Sequence, residues 1–372
     1  MRRAFAVAAL AALLSACSGA SGPKPAELPR IEQSAKLRSA WTARVGDGDR
    51  FVFTPAIAEG SVFTAARDGT VTRLDAASGR TLWHASAGTP LSAGAGTDGA
   101  IVAVANEDGE VIALDARSGA RRWSARVSSE VLAAPTVGAE LVLVRSIDNR
   151  LFAFGAQDGK RRWVYQRAPS SLIIRSPAGV TIQGDTAFAG FAGGRLVAVA
   201  LSNGAVRWEA TVSLPKGGTE LERVTDVVGD PAAQGREVCA ASYQGRIACY
   251  EMASGRQVWA REVSSLTGVS LDPRYAFVAD DKGTLQAFDR TNGRSVWKQD
   301  KLANRQLSLP QPFGELVAVG DLEGYVHFLA RDTGAFVARY DTGSGKVSAP
   351  PKVLPGGVVV QTQSGTVTAL AM

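Results

Sequence analysis

Few residues in this chain of 372 have the types and spacing that chemistry needs. The two histidines are His84 and His327, and an imidazole could relay a proton or bind a metal near neutral pH. Each falls at or beside a strand position, where a satisfied structural histidine is the simpler role. Asp75, Asp115 and Asp289 are carboxylates that could pair for acid–base work. They recur at one place in successive repeats, just before a glycine turn, so turn capping accounts for them better. The sequence holds no Cys-x-x-Cys, His-Glu-x-x-His or Gly-x-Ser-x-Gly element. Its glycine pairs are not phosphate loops, because no helix follows them. Cys239 and Cys249 flank the Gln244-Gly245 turn. A three-residue loop would set them opposite each other, and a two-residue loop would send them to opposite faces. An oxidising compartment would permit a bridge. Cys249, however, takes a position that other repeats give to Ala113, Ala153, Ala198 and Ala287, which favours two small buried thiols.

The elements that position these residues follow from a repeat. Trp41, Trp83, Trp123, Trp163, Trp208, Trp259 and Trp297 are separated by 42, 40, 40, 45, 51 and 38 residues. A period near forty marks a propeller or solenoid. The clearest unit runs from Asp108-Gly109 through Val111-Ile112-Ala113-Leu114 to Ser118-Gly119 and Trp123. Asp-Gly and its equivalents are hairpin turns, and the runs between them are short strands with apolar groups on both faces. Such strands suit four-stranded sheets stacked radially. First turns fall at Gly69, Gly109, Asn149, Gly194, Gly245, Gly283, Gly324 and Gly365. The seventh repeat has Ala338 where tryptophan stands elsewhere, and the eighth has no outer strand after its turn. Trp41 has no turns before it. The segment around Trp41 therefore supplies the fourth strand of the last blade and removes an exposed sheet edge. The chain reads as all-β: an eight-bladed β-propeller of four-stranded antiparallel blades over residues 38–372. A seven-bladed ring with a stray strand is the alternative. The seven tryptophans read as blade-docking residues.

From a tryptophan to the next first turn the usual gap is 24 to 28 residues. After Trp163 it is 31 and after Trp208 it is 37. These two enlarged connections join consecutive blades and belong on one face. The first carries Leu172-Ile173-Ile174 between Pro169 and Pro177. An apolar triplet in a long loop is either a patch for a partner or a plug on its own propeller.

Met1-Arg2-Arg3 is basic, and residues 4–14 form an apolar stretch too short to span a bilayer. Leu14-Ser15-Ala16-Cys17 then resembles the lipobox of bacterial lipoproteins. The resemblance implies a signal peptide over 1–16, lipidation of Cys17, and a flexible tether over 17–37 rich in small and polar residues. Ser18, rather than aspartate, after the cysteine implies the outer membrane. An ordinary secretory signal with a chance cysteine is the alternative. The chain has 41 basic and 35 acidic residues. The charges are scattered, with no basic and aromatic stripe of the kind nucleic acid needs.

The repeat resembles the tryptophan-docked blades of pyrroloquinoline quinone enzymes, which would imply a quinoprotein dehydrogenase. Those enzymes are longer and gather calcium ligands and an aspartate base around the quinone, and no such grouping is visible. The lipobox, the size and the eight blades resemble instead the BamB family of outer-membrane protein assembly lipoproteins. Three stretches carry that resemblance: residues 320–327 (Gly-Asp-Leu-Glu-Gly-Tyr-Val-His), 171–175 (Ser-Leu-Ile-Ile-Arg) and 219–226 (Thr-Glu-Leu-Glu-Arg-Val-Thr-Asp). It covers essentially the whole chain. It implies a non-enzymatic scaffold without cofactor or metal, anchored on the periplasmic face of the outer membrane. The implied partners are BamA, bound through a POTRA domain, other subunits of the assembly complex, and unfolded outer-membrane protein clients. The family's contact loop maps onto Leu172, Ile174 and Arg175, with Ile173 between them. Its acidic contact maps onto Asp226, and a second acidic position falls on Val228.

Overall fold

The computed structural model describes residues 23–168, 170 and 172–372. Cys17, Pro169 and Ser171 lie outside the described residues. The strands form eight separate four-stranded antiparallel sheets. In chain order the blades span 56–86, 96–126, 136–166, 180–211, 227–262, 270–299 and 311–341, numbered 1 to 7. Blade 8 takes its three inner strands from 352–371 and its outer strand from Arg38–Arg44. Arg38–Arg44 pairs antiparallel with Thr366–Ala371, and Trp41 faces Ala369. The ring is thus eight-bladed and closed at this seam, and the seven-bladed alternative falls.

The middle strands are buried on both faces, as at Ile101–Ala105 and Thr186–Phe191. That is why they read as continuous apolar runs rather than alternating ones. Apolar clusters lie between successive blades: Val71 and Phe63 of blade 1 meet Val102, Ile112 and Leu114 of blade 2. Within a blade each tryptophan sits opposite a residue of the neighbouring strand, mostly a small one, as Trp123 does Ala113 and Trp259 does Cys249.

The tryptophans reach across the blade interfaces. Trp123 of blade 2 donates its indole N–H to the Ala156 carbonyl of blade 3 at 2.8 Å. Trp41, Trp83, Trp163, Trp208, Trp259 and Trp297 each do the same to the next blade. The ring face of each lies against the glycine of that blade's outer turn. A Cβ on Gly159 would sit 2.6 Å from Cδ2 of Trp123. These glycines also have positive φ, +64° at Gly159, so both the turn and the close approach require glycine. The Ala338 exception now has a reason. Blade 7 faces blade 8, whose third and fourth strands are not consecutive in the chain. Blade 8 therefore has no outer hairpin turn on which a tryptophan could dock.

Two expectations are corrected. Cys239 and Cys249 form a disulfide instead of two separate thiols. Ser242 and Arg246 bracket a three-residue turn, which sets the cysteines directly opposite with Cα atoms 4.0 Å apart. Residues 24–34, expected within a flexible tether, instead form a strap docked on blades 6 and 7. The carbonyls of Lys24, Ala26 and Pro29 accept from Asn304, Arg305 and Arg339 at 3.1, 2.9 and 3.2 Å. Ala26 N–H donates to Ala303, and Ser34 N–H to Val337. Leu28 and Leu37 pack on apolar clusters that include Trp297 and Ala338 respectively.

The arginines that hold the strap are themselves held. Arg305, 2% exposed, bonds Asp321 through Nε at 2.7 Å and pairs with Glu323. Asp321 also meets His327 Nε2 at 2.9 Å, and Arg339 Nε donates to His327 Nδ1. Burial holds the His327 imidazole below its ordinary value, against the pull of Asp321. A neutral ring with its proton on Nε2 satisfies both neighbours. His84, by contrast, lies exposed on the outer strand of blade 1.

Candidate partner-binding face

The connections from each outer strand to the next blade share a face with the first hairpin turns. Arg67, in the turn region of blade 1, thus reaches the Leu91 carbonyl of the following connection. On this face lie the two enlarged connections, 167–179 and 212–226.

The first connection splits its apolar triplet. Leu172 is 46% exposed, while Ile173 and Ile174 are half-buried and line a small cleft with Ile147 and Ala192. Part of the loop is therefore plug and part is patch. Burial brings the neighbouring Arg145 guanidinium down to about 10, against the opposing pull of Asp226, Asp230 and Asp148.

Asp226 latches the two loops together. Its carboxylate accepts the N–H of Ile174 at 2.7 Å and that of Gly193 at 3.1 Å. It is 5% exposed, so in the chain by itself the carboxylate faces inward and holds the loop. Val228 is likewise buried, in the inner strand of blade 5.

Arg175 is exposed and already paired with Glu130. Its second neighbour is Glu107, 4.0 Å away, which Arg50 and Arg67 each bind at 2.6 Å. The two arginines flank the ring of Phe51 at 4.9 and 4.7 Å. Burial opposes it, but Arg50 and Arg67 hold the Glu107 carboxyl below its ordinary value. Burial pushes Glu130 the other way, with Glu107 adding to the shift and Arg175 opposing it. The Arg175 side chain is 56% exposed, and its guanidinium carries five N–H donors, so it can take a further acceptor while keeping Glu130.

The second connection exposes Leu214 and Leu221, at 57% and 71%. Leu221 is held out by one tight turn. Glu222 N–H donates to Thr219 Oγ1 at 3.2 Å, and Thr219 N–H donates back to the Glu222 carboxylate at 3.0 Å. This reciprocal pair is a capping box. Leu214, Leu221, Glu130 and Glu107 were not singled out from the sequence. The Thr-x-x-Glu spacing around Leu221 was the available signal, whereas the glutamates come from turns a blade or more away and left none.

The inner strands surround a central channel of about 900 Å³. Asp230 and Lys352, on blades 5 and 8, both face it. Burial raises the Asp230 carboxyl and lowers the Lys352 ammonium, and each pulls the other back. Asp75, Asp115 and Asp289 accept from the backbone and hydroxyls of their own turns, for example Ser78 and Ser118 at 2.8 Å for the N–H groups. Among the described residues, no three or more His, Cys, Asp or Glu side chains gather as a metal site.

Comparison with known proteins agrees with this architecture. The family described as outer membrane protein assembly factor BamB matches residues 38–88 and 67–299. The outer membrane protein assembly factor BamB of Bordetella pertussis is 44% identical over 358 residues, covering 95% of this chain and 92% of the relative. The crystal structure of BamB from Moraxella catarrhalis superposes with a TM-score of 0.83 at 27% identity, covering 91% of this chain and all of that one. A quinohemoprotein alcohol dehydrogenase from Pseudomonas putida shares the fold alone, with a TM-score of 0.70 at 15% identity over 91% of this chain and 76% of its own. With eight blades, seven of their interfaces docked by a tryptophan, and 44% identity to such an assembly factor over nearly its full length, the chain belongs to the BamB family.

Proposed function

We propose that the protein is a non-enzymatic scaffold of the outer-membrane β-barrel assembly machinery, anchored through a lipid on Cys17 at the periplasmic face. It binds BamA through a POTRA domain, beside other subunits and unfolded barrel clients. The observation that carries this reading is the paired enlarged connection. Two neighbouring loops, joined by Asp226, present Leu172, Leu214 and Leu221 to solvent, and the first also carries the exposed Arg175. Exposed leucines rimmed by charge on a rigid base suit a protein partner. Each leucine fully buried on binding contributes roughly 1.5–3 kcal/mol. The quinoprotein alternative rests on a shared fold, and fold does not carry function.

The test is co-purification with BamA from solubilised outer membranes. Arg175→Glu, and separately Leu172→Ser with Leu221→Ser, should abolish recovery while leaving circular dichroism and melting temperature nearly unchanged. Recovery that survives both would place the interface elsewhere. Loss of folding would show that the loops serve the propeller's own packing.

A further inference from the structure

The strap fixes where the N-terminal chain leaves the propeller. Its carbonyls are held by Asn304, Arg305 and Arg339, and Arg305 is locked beneath them by Asp321, which is fully buried. Pro23, at its upstream end, lines the channel beside Gly283, Asn304 and Gln306. Gly283 is the first turn of blade 6, and Asn304 and Gln306 lie in the connection from blade 6 to blade 7. These belong to the same face as the two enlarged connections.

Resting on the proposed lipidation of Cys17, we infer that the strap holds this channel-mouth face toward the lipid surface. Pro23 is six residues from Cys17, and six residues span at most about 20 Å. The blade strands, mostly five or six residues long, make the propeller about 20 Å deep. The channel-mouth face therefore stays within about 20 Å of the anchored lipid, and the opposite face can meet the membrane only with the leash drawn fully out. Without the strap the leash would run from Arg38 back to Cys17, about 70 Å when extended, and either face could meet the membrane. The docked residues 24–37 convert a long leash into a short one attached off the seam, near the channel axis.

Energy transfer to lipid headgroups tests this. Full-length lipidated protein is placed in vesicles of phosphatidylethanolamine and phosphatidylglycerol carrying a headgroup acceptor. A donor is attached at Lys282→Cys, in the first turn of blade 6, or at Asn292→Cys, in the outer turn at the other end of the same blade. Both native residues are exposed. Transfer from position 282 should exceed that from 292 several-fold. A fourteen-residue Gly/Ser insertion between Gly22 and Pro23 leaves the fold untouched and should bring the ratio close to one. Equal transfer in protein that carries a fatty-acid label would overturn the orientation, and a ratio unchanged by the insertion would overturn the role of the strap. Absence of the label would overturn lipidation of Cys17, and the inference with it.

Discussion

The contact between Trp123 and Gly159 can be broken from either side, which makes it a double-mutant test of how the ring is held. Trp123 is 9% exposed, its indole N–H bonds Ala156, and its ring covers Gly159. Truncation to alanine should cost about 3–5 kcal/mol. For a ring of this size that lowers the melting temperature by roughly 4–8 °C if unfolding is two-state. Gly159→Ala meets two penalties. The positive φ of +64° costs an L-residue about 1–2 kcal/mol. The new Cβ, 2.6 Å from the indole, adds an overpacking cost of about 1–3 kcal/mol. In the Trp123→Ala background the second penalty vanishes and the first remains. The double variant should therefore be more stable than the sum of the singles predicts, by about 1–3 kcal/mol. Chemical denaturation of the four proteins measures this. Strict additivity would refute the claim that the tryptophan demands the glycine. Ala338→Gly, at the position with no turn to cover, should cost clearly less than Trp123→Ala.

Cys17→Ala should abolish incorporation of a radiolabelled fatty acid while the propeller still folds, and label retained on the variant would refute lipidation there. Replacing Cys239 and Cys249 together by serine should cost about 2–3 kcal/mol, the loop entropy of a bridge spanning ten residues. Unfolding of the oxidised protein with and without reductant, which should differ by the same amount, checks it. The buried Tyr250 phenol donates to the Thr211 carbonyl at 2.8 Å, and burial pushes it up to about 12 against the pull of Arg246. Unfolded tyrosine titrates near 10. Its contribution is therefore fully present below pH 10 and fades as pH rises to 12, by on the order of 2–3 kcal/mol. Tyr250→Phe should lose about 1 kcal/mol at neutral pH and lack that alkaline component, and parallel stability–pH curves for the two proteins would refute the assignment.

The fold was legible because its punctuation is local. Nearly every turn is written with a glycine, and seven of the eight blade interfaces with one tryptophan. Even the seam could be read, since Trp41 arrives without turns and the last repeat lacks an outer strand. The candidate face was only half legible. Loop lengths pointed to the two enlarged connections, but exposure depends on what lies beneath, and Ile147 and Ala192 partly cover Ile173 and Ile174. The family resemblance maps an acidic contact onto Asp226 but says nothing of its burial. Its burial depends on two backbone N–H groups from blade 4 and the connection before it. The strap was missed for the same reason: its small and polar residues look unstructured, and the arginines that bind its carbonyls stand some 280 and 310 positions away.

The seam also sets a clock. Thr42 and Thr368 face each other with their hydroxyls 3.4 Å apart and 326 residues between them. A chain made from its N-terminus at about 5–20 residues per second completes the second partner roughly 15–65 s after the first. Throughout that interval the strand at 38–44 has no edge to join, and the blades that follow it form as a growing open arc. Closing so large a loop costs about 5 kcal/mol of chain entropy, recovered only when Thr366–Ala371 arrives. The last strand to be born is therefore the one that turns an arc into a ring. Loss of that short segment would leave both ends of the arc unpaired, where loss of an equal length from an exposed connection would leave the circle intact.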